Sequence, residues 1–271
     1  MQDLAYGLPG WSVAQVRSQP AGGGDGVVDF ASWVVDMLAA RRAAADGPMR
    51  PDVLAQLARA VADPDPAPLS ELMRDLVRQK VSAVAVADLY IPAVAAQLGE
   101  DWMDDRAGFA EVTLASARLQ SMLRALGAAW SADRADGVSD PCLLLCVAPH
   151  EQHTLGALVV LGQLRRSGAS VRLVTDPGAE DMAALLGSLS LDGVMISASG
   201  SVRLAELAQF VGMVRKLGPP GLPIVLGGGV LGAIPGAAAR VGADAGAMNI
   251  SQALAACGIG SAREDRARLR A

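Results

Sequence analysis

Both histidines of the chain, His150 and His153, fall inside one short stretch, LLLCVAPHEQHTLG at 143–156. Imidazole is the commonest side-chain ligand for a transition metal, and a nearby carboxylate is its usual partner, fixing the tautomer and orienting the ring. Glu151 stands two residues before His153 and has the chemistry for that role. The apolar run breaks at Pro149, and a helix-like segment, TLGALVVLGQLRR, follows at once. The pair therefore sits where a parallel strand hands over to its crossover helix. Ligands of open α/β sheets bind in the crevice beyond the carboxyl ends of the strands. His153 is accordingly the candidate metal ligand and Glu151 its partner, while His150 reads as a solvent-facing turn residue.

Two further loops have the same placement. Ser197-Ala198-Ser199-Gly200 follows the apolar VMI, and Gly227-Gly228-Gly229 follows PIVL. Glycines let a flat ligand lie against backbone, and small hydroxyls can hydrogen-bond to its buried end. The elements that must carry these loops are short apolar runs alternating with helical patterns. Strands are predicted at 143–148, 170–174, 193–197, 223–226 and 245–248, and helices at 156–167, 179–189, 201–217, 232–241 and 251–257. That alternation gives a parallel sheet with right-handed crossovers over residues 141–260.

Upstream the rhythm is helical throughout. Periodic segments cover 29–45, 51–62, 69–78, 82–99 and 110–132, with breaks such as DPDPAP at 63–68. With no strand candidate among them, residues 29–132 read as a helical bundle. The Gly-rich segment 1–28 reads as a flexible arm and 261–271 as a charged tail. The predicted fold is α/β: an N-terminal helical bundle, then a Rossmann-like, doubly wound parallel sheet.

Composition narrows the function classes. The chain is 52% hydrophobic but only 3% aromatic, which suits helices and parallel strands better than a β-sandwich. Its net charge of −5, with no Lys/Arg cluster beyond Arg41–Arg42 and the tail, argues against direct nucleic-acid binding. No apolar run approaches the ~20 residues of a membrane span, and MQDLAYGLPG lacks the basic start of a signal peptide. The expectation is a cytoplasmic protein that does not enter membranes. Three cysteines without a CxxC, with Cys142 and Cys146 in or beside the first strand, read as buried small residues.

The order and spacing of the three loops resemble the cobalamin-binding fold, whose pattern is Asp-x-His-x-x-Gly, then Ser-x-Leu, then Gly-Gly. Here the matching residues are Glu151, His153 and Gly156, then Ser197 and Ser199, then Gly227 and Gly228. The resemblance implies a corrinoid whose dimethylbenzimidazole tail is buried against the sheet, with His153 taking its place on cobalt. The implied cofactor-binding set is Glu151, His153, Thr154, Gly156, Ser197, Ser199, Gly227 and Gly228. Glu151 stands where the pattern has Asp, and Ser199 where it has Leu, which implies a more polar tail pocket.

The segment IPAVAAQLGEDWMDDRAGFAEVTLASARLQ resembles the helical cap that precedes cobalamin domains in methionine synthase and in light-sensing regulators such as CarH. Trp102 matches the Trp that covers the upper face of the cofactor in those sensors. Val112 and Thr113 occupy the places of their Glu-His pair, which implies an upper face without a polar cap. EQHTLG, with Trp102, Phe109, Val112 and Arg118, extends the resemblance over almost the whole chain to the PpaA/AerR group of photosynthesis-gene antirepressors and the related sensor domain of AppA. It implies a light- or redox-responsive, non-enzymatic regulator that binds cobalamin and acts on a PpsR/CrtJ-type repressor. Heme, which also uses an axial histidine, is the alternative cofactor, and a corrinoid methyl carrier the alternative function.

Overall fold

The computed structural model describes residues 48–132 and 141–260, the side chains of 128–132 excepted. The expected arm at 1–28, the expected helix at 29–45 and the expected tail at 261–271 lie outside the described residues.

Among the described residues four helices form the first half: α1 (Pro51–Ala62), α2 (Ala67–Arg78), α3 (Ala83–Met103) and α4 (Phe109–Ala132). Leu57 and Val61 of α1, Met73 and Leu76 of α2, and Leu119, Met122 and Leu126 of α4 meet in one core. Ser82 caps α3, its Oγ accepting the Ala85 N–H at 2.9 Å. This helix begins one residue later than 82 and runs on past the expected end at 99. It also carries a π-turn at Val86–Tyr90, where the Ile91 N–H reaches back to the Val86 carbonyl. Pro92 has no N–H to offer the preceding turn, so the ladder widens just upstream of it. Among the described residues α3 is the helix long and apolar enough to cross a membrane by length and composition. Its Ile91, Val94 and Leu98 are buried in the helical core.

The second half is a five-stranded parallel sheet of order β2-β1-β3-β4-β5. Its strands are β1 (Cys142–Val147), β2 (Ser170–Thr175), β3 (Gly193–Ser197), β4 (Ile224–Gly227) and β5 (Ala245–Ala247). β1 is apolar along its whole length because helices cover both faces. Leu144, Cys146, Ile196 and Leu226 pack against α6 (Ala179–Ser188), α7 (Leu204–Leu217) and α9 (Ala237–Val241). Leu143, Leu145, Met195 and Val225 face α5 (Leu155–Ser167) and α10 (Ile250–Ala256). The single helix expected at 232–241 is two, α8 (Val230–Ala233) and α9, because Pro235 and the left-handed Gly236 intervene.

α5 belongs to both halves. Its Ala157 and Leu164 pack on the sheet, while Leu155, Leu158 and Val159 pack on the helical core. Near its far end Arg166 pairs at 2.5 Å with Asp88, which projects from the π-turn of α3. The helix that starts directly after His153 is thus held between the helical half and the sheet.

Candidate functional site

The strand order reverses direction between β1 and β3, so the crevice at that switch point is where a ligand is expected. The loop after β1 turns sharply: His150 takes a left-handed backbone conformation (φ 59°) and donates its N–H to Asp176 Oδ1 at 3.2 Å, on the loop after β2. Its side chain is exposed, in keeping with a turn residue.

On the other side the same loop is tied down by Glu151. Its Oε1 accepts the His153 backbone N–H at 2.9 Å and lies 2.6 Å from His153 Nδ1. Its Oε2 accepts the Ser199 N–H at 2.9 Å, from the loop after β3. The carboxylate is 5% exposed and joins the two loops that border the switch point, while the imidazole it holds is 74% exposed. With Nδ1 engaged by a carboxylate, the tautomer carries its proton there, and Nε2 is left with the lone pair a metal requires.

Burial alone would raise the Glu151 carboxyl group, but the hydrogen bonds from Ser199 and His153 outweigh it and hold the pKa at about 2, against an ordinary 4.5. A carboxylate depressed in this way stabilises the fold fully above its unfolded value, and that contribution disappears as the pH falls through the folded one. Glu151→Gln, which keeps only one good acceptor, should cost about 1–3 kcal/mol near neutrality. Thermal denaturation of the two proteins should converge as the pH drops from 4.5 towards 2. A constant difference across that window would contradict the assignment.

Below the loops lies a cleft of about 200 Å³ between the sheet, α5 and α10. Gly156, Ser197, Gly227 and Gly228 line it. A Cβ at Gly156 would meet no atom within 4 Å, so its absence leaves open space at the start of α5. Gly228 is different: its φ is +97°, and a Cβ there would stand 2.3 Å from the Ala198 carbonyl oxygen. The backbone itself therefore requires glycine at 228, whereas at 156 a side chain would enter open space.

Ser199, which the resemblance places in the tail pocket, is not among the residues that line the cleft. β3 ends at Ser197, and the chain then turns so that the Ser199 N–H meets Glu151 and its Oγ lies 2.8 Å from Ser201 Oγ. Ser197 is the hydroxyl on the cleft. Thr154 precedes α5, its carbonyl accepting the Leu158 N–H. Trp102, Val112 and Thr113 sit at and beyond the α3–α4 turn. Trp102 is 47% exposed and packs edge-on against exposed Phe109, ring centroids 6.3 Å apart. Among the described residues no side-chain hydrogen bond or ring contact joins these three to the loop of His153.

Three parts of the site went unmarked by the sequence reading: Asp176, and the amides Gln163 and Asn249 in the cleft wall. Gln163 had a recoverable signal, since it stands seven residues after Gly156 on one helix face.

No protein-family model matches the chain. An uncharacterized 20.5 kDa protein from the bchF-crtJ intergenic region of Rhodobacter capsulatus is 40% identical over 159 residues, which is 59% of this chain and 83% of that protein. The chain belongs to the family of that protein. Among solved structures, the monomethylamine corrinoid protein of Methanosarcina barkeri superimposes with a TM-score of 0.57 at 15% identity, covering 74% of this chain and 95% of that one. At that identity the likeness is one of fold: helices followed by a parallel sheet, as the sequence predicts.

Proposed function

We propose that the chain binds a corrinoid, with His153 Nε2 as the axial ligand to cobalt and the pendant nucleotide base in the cleft beneath. One observation carries the reading: a histidine oriented by a buried carboxylate and an open slot occur together at one switch point of the sheet. A flat tetrapyrrole lying over the strand ends needs the histidine, and a base hanging from it needs the slot. Heme shares the need for an axial ligand but has no pendant base, so the slot favours the corrinoid. The missing Cβ at Gly156 and the donor set at His153 both fit the group. Once bound, the corrinoid would supply a redox-active, light-absorbing cobalt centre, which His153 would hold. The corrinoid protein among the fold's neighbours supports the same cofactor class.

In this reading the chain is a light- or redox-responsive antirepressor with no catalytic step. Two observations support it: the relative's place beside crtJ, consistent with action on a PpsR/CrtJ-type repressor, and the packing of α5 on both halves. A change in the loop of His153 is thereby passed to the helical half through a packed element with contacts on both sides.

The test is to incubate the purified protein separately with hydroxocobalamin and hemin, desalt, and record visible spectra. A retained corrinoid spectrum is expected. A retained Soret band without corrinoid, or neither, would contradict the cofactor reading. The loaded protein should then lower the fraction of repressor bound to its operator, and an unchanged fraction would remove the regulatory half.

A further inference from the structure

Two polar side chains on the cleft, Ser197 near the strand ends and Gln163 on α5, have no hydrogen bond among the described residues. Gly156, Val160 and Gln163 stand at i, i+4 and i+7 of α5 and share the face that lines it. Seven residues of helix rise about 10 Å, so Gly156 lies at the mouth, beside the strand ends, and Gln163 at the far end. On the sheet the lining likewise descends from Ser197 and Gly227 at the strand ends to Met195 and Val225, each two residues deeper. The depth is otherwise hydrocarbon. Asn249, another amide in the wall, is already committed: its Oδ1 accepts the Gln252 N–H at 2.9 Å and caps α10. Among the described residues no hydrogen bond engages Gln163. An amide at the bottom of an apolar slot is costly once a ligand seals it from water, unless the ligand supplies a partner.

We propose that Gln163 reads the nucleotide base of the corrinoid and is the residue that sets the preference among bases. The inference rests on the corrinoid reading and deepens it. A base entering past Gly156 presents its outer edge to Gln163. A purine carries donors and acceptors on that edge, and a carboxamide matches the adjacent amino group and ring nitrogen of adenine with two hydrogen bonds. Dimethylbenzimidazole carries two methyl groups there and leaves the amide without a partner. Gln163 therefore favours a corrinoid with a purine base over one with dimethylbenzimidazole, relative to an apolar residue at the same place.

The experiment titrates wild type, Gln163→Leu and Gln163→Met with hydroxocobalamin and with its adenine-bearing counterpart, following the corrin absorbance. Both variants keep the side chain's bulk and remove its hydrogen bonds. The ratio of the two dissociation constants should move about tenfold towards dimethylbenzimidazole in each, the effect of about one hydrogen bond. Both corrinoids bound with an unmoved ratio would overturn this inference and leave the cofactor reading standing. Wild type binding neither corrinoid would overturn both.

Discussion

Gly156→Phe should leave the fold intact and abolish corrinoid retention. The site is the second residue of α5, and a Cβ added there meets no atom within 4 Å. Phenylalanine is also a better helix former than glycine, by a few tenths of a kcal/mol, so the melting temperature should hold or rise slightly. The ring would project into the cleft of about 200 Å³, which the proposed function assigns to the pendant base. Excluding the base removes its burial against Leu145, Met195 and Val225 and should weaken binding by roughly a hundredfold, since each tenfold in affinity is about 1.4 kcal/mol. Titration with hydroxocobalamin, paired with a thermal melt, checks both halves. A folded variant with wild-type affinity would show that the cleft does not hold the base.

Gly228→Ala should do the opposite and damage the fold itself. The φ of +97° suits only glycine, and the new methyl carbon would be 2.3 Å from the Ala198 carbonyl oxygen. That carbonyl accepts the Val230 N–H, and the Ala198 N–H donates to the Gly227 carbonyl at 3.0 Å. Relief of the clash must therefore part the ends of β3 and β4, where two of the site's three loops begin. The cost should be about 3 kcal/mol or more, a fall in melting temperature of roughly 6–12 °C for a protein of this size. A melt indistinguishable from wild type would contradict the geometry at this turn.

These two glycines show where sequence reasoning reaches and where it stops. Both stand out at strand ends in the sequence, yet the difference between them, open space against a forbidden Cβ, depends on the backbone. The strands were legible because burial on both faces leaves an unbroken apolar run, and β3 falls on its expected span of 193–197. The Glu151–His153 contact was legible from spacing alone. The partner of Glu151 across the crevice was not, because Ser199 contributes its backbone N–H, which every residue except proline possesses. The π-turn at Val86–Tyr90 and its pairing of Asp88 with Arg166 were hidden for a related reason. A one-residue change in helical register decides which face Asp88 occupies, and an amphipathic pattern averages over it. Gln163 is a lone polar residue in the apolar run ALVVLGQL, and its seven-residue spacing from Gly156 is the cue to the face it shares.

In the proposed corrinoid complex the nitrogen on cobalt comes from His153. Electron paramagnetic resonance of the reduced, cobalt(II) form distinguishes the sources directly, because an axial nitrogen-14 splits each cobalt line into three and nitrogen-15 splits it into two. Protein labelled with nitrogen-15 only at histidine, loaded with unlabelled hydroxocobalamin and reduced, should give the two-line pattern. His150→Ala should keep it and His153→Ala should lose it. A three-line pattern from the labelled wild type would mean that the corrinoid's own base stays on the metal, and the account of this site would be wrong.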